Sequence, residues 1–466
     1  MHSESNKSPQ NTIHKFESML KTDDVYFFDA EDFEDIVHHY LNNGKILLSK
    51  KAVKLGLEQH PHSIELKLLQ VELHVFDDEF EKALQLLEEL ESLEPLNEDL
   101  YIQKANICSK QDQHEEAVKL LEKALQIDDN NFDIHALIGM EYLFIDDYYH
   151  AKIHFLKCVE IDPTDYGSLY NLVYCFEFLN DQKGAIRFLN EFVEQNPYCE
   201  VAWHQLGKMY LDTSMLKEAL VAFDFAIISD DRFVGAYFEK GRVLEKLHKY
   251  NEAIICYETT LEIDQPTAFA YLRMGQCHQK LNNLVLAKQY YYKTIHEDPL
   301  LDKGWIALTQ LYFEQKNLVK AEEYIHKALN IDNNNPKYWK NAAAIYCENK
   351  DWHQADFAFR RCIDLGDLNK ENWFNWILVL LHLKDYYELI SVLERAIDLY
   401  PNEVDFNYLQ AGVLSKTGHM TKSKHIFEKA WNTDPQKKSI VLEYFPEILN
   451  NAWAQPYFIP FDNRLQ

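Results

Sequence analysis

The chain has 466 residues, 47% of them hydrophobic and 14% aromatic, and a formal net charge of −28. Nucleic acid and anionic membrane are polyanions that such a chain repels, so neither is expected as a general partner and proteins are favoured. With 13 glycines and 13 prolines scattered between apolar runs and no low-complexity stretch, the composition excludes a linker-rich or disordered chain.

Residues Met1 to Asn11 are polar and are expected to be disordered. Ile13, Phe16, Met19 and Leu20 return at helical spacing after Thr12, an N-cap candidate, and predict a short helix covering the exposed end of the helices beyond it. Asp29 is placed to cap the next helix, whose apolar face is Phe33, Ile36, Val37 and Tyr40 and which Asn42-Asn43-Gly44 stops. Acid is concentrated at this end: a net charge of about −15 precedes Phe132, where no arginine occurs.

From Ala30 the chain repeats itself every 34 residues, and the stretch from Ala202 to Tyr210 shows the template. Trp203, Leu206 and Tyr210 share one face of a first helix. Gly207 and Ala219 are small where that helix must cross a second one carrying Phe223 and Ala226. Glycine lowers helix propensity, so its place inside a helix needs a packing reason. Twelve units run in register, starting at Ala30, Ile64, Glu98, Phe132, Tyr166, Glu200, Val234, Ala268, Asp302, Pro336, Lys370 and Val404, and ending near Lys437. The small residue of the second helix recurs from Ala83 to Ala355, and prolines such as Pro95, Pro197 and Pro299 close the units. Ser49 and Gly56 dilute the first unit, and Leu389 and Ile377 replace small residues in the eleventh, so both are expected to pack less regularly. Aromatics that open second helices, Phe80, Tyr148, Tyr250, Trp352 and Tyr386, read as core.

After the last unit Ile440, Val441, Tyr444 and Phe445 extend the pattern for about two turns before Pro446. The tail from Gln455 to Phe461 is too proline-rich for a helix and apolar enough to pack on the last units, or to dock on another chain.

This chain resembles the tetratricopeptide-repeat (TPR) family on twelve in-phase matches covering nearly its whole length. The resemblance implies an all-α, right-handed α-solenoid of antiparallel helix pairs. The organisation expected is residues 1–29 as tail and capping helix, 30–437 as one array of repeats, and 438–466 as a C-terminal cap and apolar tail. It also implies that the first helix of each pair lines the concave surface.

Equivalent first-helix positions then form columns. One is Glu31, Glu65, Asp99 and Asp133, an acidic ladder that also suits the helix dipole. Another is Met140, Tyr174, Lys208, Arg242, Gln276 and Gln310, with Tyr170, His204 and Phe238 beside it and Lys246 and Lys280 one turn on. The arrangement by which TPR modules hold chaperone C-termini combines lysine and asparagine, asparagine, then lysine and arginine. It is not reproduced here, since Asn171 comes with Tyr170 and Tyr174, and Arg273 follows Glu239.

No phosphate-binding glycine loop, H-E-x-x-H or nucleophile elbow appears, and the eight cysteines form no C-x-x-C pair. The reading is a non-catalytic protein-interaction scaffold without cofactor or metal. It holds a polypeptide, acidic with an apolar anchor, through Tyr170, Asn171, Tyr174, His204, Lys208, Phe238, Arg242, Arg273, Gln276 and Gln310. The alternative is a solenoid that self-associates through its ends or its tail. Arg242 and Arg273 have Glu239 and Glu245 as competing local partners. Cysteine usage and the lack of an apolar run long enough to span a bilayer lead to the expectation of a cytoplasmic protein that does not insert in membrane.

Overall fold

The structure, a computed structural model, describes residues 9–22, 26–264 and 267–458. The expectations for residues 1–8 and 459–461 lie outside the described residues. Among the described residues there is no strand, and no helix is long and apolar enough to cross a membrane. A helix begins at each of the twelve residues that open a unit, from Ala30 to Val404.

Local chemistry explains that register. Ser63, Asn131, Asp165 and Thr267 cap first helices by accepting the backbone N–H three residues on. Asp147, Asp181, Asp351 and Asp385 do the same for second helices. Asp29 forms a reciprocal capping box with Asp32. Between the two helices of a pair the backbone turns through a left-handed residue: Asp78, Asp112, Asp146, Asn180, Ser214, His248, Asn282, Lys316, Lys350 and Lys384, with glycine only at Gly44 and Gly418. Those positions are 34 apart along the sequence, so the turn is as periodic as the core.

By contacts the chain divides into two compact units, residues 1–236 and 237–466. The N-terminal unit opens with helix Pro9–Thr22. Its Phe16 is fully buried against Phe28, Phe33 and Tyr40, with ring centroids 6.2, 6.2 and 6.1 Å away. Thr12 lies inside this helix rather than capping it, and residues 9–11, expected to be disordered, are helical; a proline at the first helical position gives up no hydrogen bond. Six helix pairs come next, down to Leu216–Ser229. In the sixth, Gly207 lets its helix approach Phe223 so closely that a Cβ there would lie 2.6 Å from the ring. Leu206 is 1% exposed. Trp203 and Tyr210 are only half-buried, which corrects their reading as core. Trp203 stacks on Phe225 at 4.6 Å and donates its indole N–H to the Pro197 carbonyl at 2.9 Å, tying its helix to the preceding turn.

The C-terminal unit continues the pattern, with Gly241 and Gly275 packed on Tyr257 and Tyr291. Trp305 and Trp339 repeat the bond of Trp203, to the carbonyls of Pro299 and Asn333. In the eleventh repeat Leu389 is fully buried, and the preceding turn is rebuilt around Gly366 at φ 90°. Trp373, at the equivalent position, there has a buried indole N–H with no partner among the described residues. After the twelfth pair come a 3-10 turn from Pro435, helix Ser439–Tyr444 and a 3-10 turn from Pro446. Gln455–Phe458 then forms one helical turn, against the expectation of a non-helical tail; Pro456 sits where its missing N–H has no intrahelical acceptor to lose. Tyr457 and Phe458 pack on Phe427 at 5.3 and 5.7 Å, and Tyr457 donates to Glu428.

Candidate polypeptide-binding grooves

In the N-terminal unit the first helices of repeats four to six enclose a cavity of about 520 Å³ lined by Met140, Tyr148, Tyr170, Asn171, Tyr174, Gln205 and Lys208, among others. Four of the sequence-selected residues, Tyr170, Asn171, Tyr174 and Lys208, therefore meet. Tyr170 and Tyr174 are 42% and 41% exposed, and Phe144 and Phe178 extend this open apolar surface. Tyr174 and Tyr148 both pack on Phe178 at 4.5 Å. Tyr148 donates to Asp146, which pushes its phenol up to about 12 and leaves the carboxylate occupied. Lys208 has no ion-pair partner among the described residues.

His204 does not join this cavity. Its ring lies between Phe223 and Phe233, at 5.8 and 5.1 Å, with both nitrogens buried and unpartnered among the described residues. Burial, then the charge of Lys208, pushes its pKa down to about 4, so the imidazole is neutral. Gln205, which sequence reasoning passed over, is 2% exposed and its Oε1 has no partner among the described residues.

In the C-terminal unit Gln276 and Gln310 line a cavity of about 580 Å³ with Lys246, Lys280, Tyr250, Gln279 and Glu314. The other three selected residues of this unit are engaged locally. Arg242 Nη1 donates to both Glu239 oxygens at 2.8 and 2.7 Å. Arg273 pairs with Glu245 at 3.4 Å, and Glu245 also accepts from Tyr257. Phe238 packs on Tyr257 at 5.4 Å. The free cations of this groove are instead Lys246 and Lys280, exposed and without ion-pair partners among the described residues. Tyr291 donates to Gln279 at 2.6 Å, and Gln279 donates to Glu314 at 3.1 Å, holding one wall in place. Burial, with Glu245 nearby, pushes the Cys277 thiol up to about 12, so it is no nucleophile near neutral pH.

A third cavity, of about 360 Å³, lies on the first helices of repeats nine to eleven and is lined by Trp352, Asn372, Asn375 and His382, among others. Tyr148, Tyr250 and Trp352, assigned to the core from sequence, are half-buried and each lines a groove. They stand three repeats apart, a period that a reading in steps of one repeat does not display. Among the described residues no group of three or more histidine, cysteine or acidic side chains is placed to hold a metal ion.

Paired helices in a 34-residue register, a left-handed turn in each pair and grooves on the first helices define the TPR class. Family models described as tetratricopeptide repeat match residues 77–140, 132–165, 168–197, 234–267 and 269–300. The chain carries tetratricopeptide repeats over these residues, as its 34-residue register implied. It is 30% identical over 149 residues to anaphase-promoting complex subunit 3 of Schizosaccharomyces pombe, a match covering 32% of this chain and 22% of that protein. Similar solved structures include the APC/C hetero-tetramer Cut9–Hcn1, at 17% identity, TM-score 0.40 and coverage of 86% of this chain and 92% of that one. YrrB, described as a TPR protein with an unusual peptide-binding site, is similar at 18% identity and TM-score 0.33, covering 42% of this chain and 97% of its own. Naa15/Naa10 bound to HypK-THB is similar at 14% identity and TM-score 0.36, with 93% and 69% covered.

Proposed function

We propose that this protein is a non-catalytic scaffold that holds an extended polypeptide in its first-helix grooves and thereby assembles or regulates a complex. The observation that carries this reading is the N-terminal groove, where exposed Tyr170 and Tyr174 stand beside the amide of Asn171 and Lys208, which has no ion-pair partner among the described residues. Rigid aromatic rings supply contact area at small entropic cost, an ammonium selects a carboxylate, and an amide can bond a peptide main chain. The occupant is thus an acidic segment with an aromatic or aliphatic anchor. Pairing of Arg242 with Glu239 and of Arg273 with Glu245 moves the cationic role to Lys208, Lys246 and Lys280. That a relative is a subunit of a complex supports an assembly role.

The test is a selection of peptides from a displayed random library on the intact protein, followed by fluorescence polarisation with the selected peptides. Tyr174→Ala/Lys208→Ala should keep the wild-type unfolding midpoint and weaken binding at least tenfold. Selected peptides that bind the double variant as tightly as the wild type would place the working surface elsewhere.

A further inference from the structure

Away from the grooves, the second helices of repeats eight and nine carry a cluster that the peptide reading does not use. Lys288 and Tyr292 stand one turn apart on helix Leu284–Glu297, and Lys320 and Tyr324 stand one turn apart on helix Leu318–Ile331. Between them lies Tyr312, from the first helix of repeat nine, 2% exposed. Both ammonium groups sit 5.1 Å from the centroid of the Tyr312 ring. The Tyr292 hydroxyl is 3.0 Å from that of Tyr312 and 2.9 Å from that of Tyr324.

Counting hydrogens shows what the cluster lacks. Three phenols own three O–H donors and make two bonds among themselves, so one O–H is left over. Two ammoniums add six more N–H donors, and neither has an ion-pair partner among the described residues. The lysines are half-buried, so they are less screened than surface cations, and both stand over one tyrosine ring in a protein whose net charge is −28. Burial raises the Tyr312 phenol, but its hydrogen bonds with Lys288 and Tyr292 and the charge of both lysines outweigh it and draw its pKa down, as a locally positive field requires. Cation–π contact accounts for each lysine singly. It leaves unexplained why two are gathered on one ring with surplus donors.

We propose that Lys288, Lys320 and the Tyr292 hydroxyl form a binding site for a small divalent oxyanion, with inorganic phosphate as the reference ligand. The four-carbon lysine stems let both ammoniums close on an anion that the Tyr292 O–H orients, while Tyr312 and Tyr324 hold that hydroxyl in place.

The test uses the full chain in a phosphate series balanced with chloride to constant ionic strength. Thermal unfolding should shift upward with phosphate, and calorimetric titration should give saturable binding that Lys288→Met/Lys320→Met weakens at least tenfold. Tyr292→Phe keeps the ring and removes one hydroxyl, so it guards against a double variant that fails to fold. Phosphorus NMR line broadening by the wild type should fall several-fold in Tyr292→Phe. No phosphate response beyond matched chloride in the wild type, or the same response in wild type and Tyr292→Phe, overturns the site.

Discussion

Gly207→Ala sets two effects of known sign against each other. Alanine favours a helix interior over glycine by about 0.5–1 kcal/mol. The added Cβ, however, would lie 2.6 Å from Phe223 Cε1 and 2.8 Å from Cδ1 and Cζ. Carbon atoms rest at about 3.5–4.0 Å, so the ring must retreat by roughly 1 Å. Phe223 is fully buried, with the His204 ring 5.8 Å away, and has no open side to retreat into. Overpacking of this kind costs about 1–3 kcal/mol, which leaves a net loss of about 0–2.5 kcal/mol. Urea unfolding measures the total, and hydrogen exchange should show the loss concentrated in helices Glu200–Asp212 and Leu216–Ser229. The decisive comparison is a double-mutant cycle with Phe223→Leu. If the ring is the obstacle, the double variant is more stable than the sum of the singles predicts, by about 1 kcal/mol. Additive singles, or a Gly207→Ala protein more stable than wild type, would refute the argument that glycine is there for the ring.

Two further outcomes concern the backbone and titration. Lys350, at φ 59°, occupies the left-handed turn position that glycine takes at Gly418; the conformation costs a non-glycine residue roughly 1–2 kcal/mol, so Lys350→Gly should raise the unfolding free energy measured in urea by about 1 kcal/mol, less the entropy that glycine adds to the unfolded chain. His154 and His204 have pKa values pushed down to about 4, by burial first in each. Between pH 6.5 and 4 the unfolded chain therefore binds protons that the folded one refuses, and stability should fall as pH drops through that window. In a pH series of urea midpoints His204→Phe should show a shallower decline than wild type; an equal slope would mean that His204 protonates freely in the fold.

What the sequence by itself determined is the register. Each helix pair is specified by its own 34 residues, through the small–large match of Gly207 with Phe223, the cap and the turn, and these local signals recur too regularly for another phase to fit. That is why first helices begin at Ala30, Phe132, Glu200 or Pro336 as read. The columns of first-helix positions were legible for the same reason, and four of their members meet in one groove.

Tertiary structure decided how those side chains are used. A column names neighbours without saying which are already engaged. Arg242 belongs to Glu239, and His204 turns into the core, because rotamers and neighbouring rings set these outcomes. Trp203 and Tyr148 have the composition of core residues but stand at its margin, where a carbonyl or a carboxylate takes their polar atom. The Lys288 and Lys320 cluster was invisible for a geometric reason. Its paired residues are 32 apart along the chain, out of phase with the repeat, and meet because Tyr312 passes between two successive second helices.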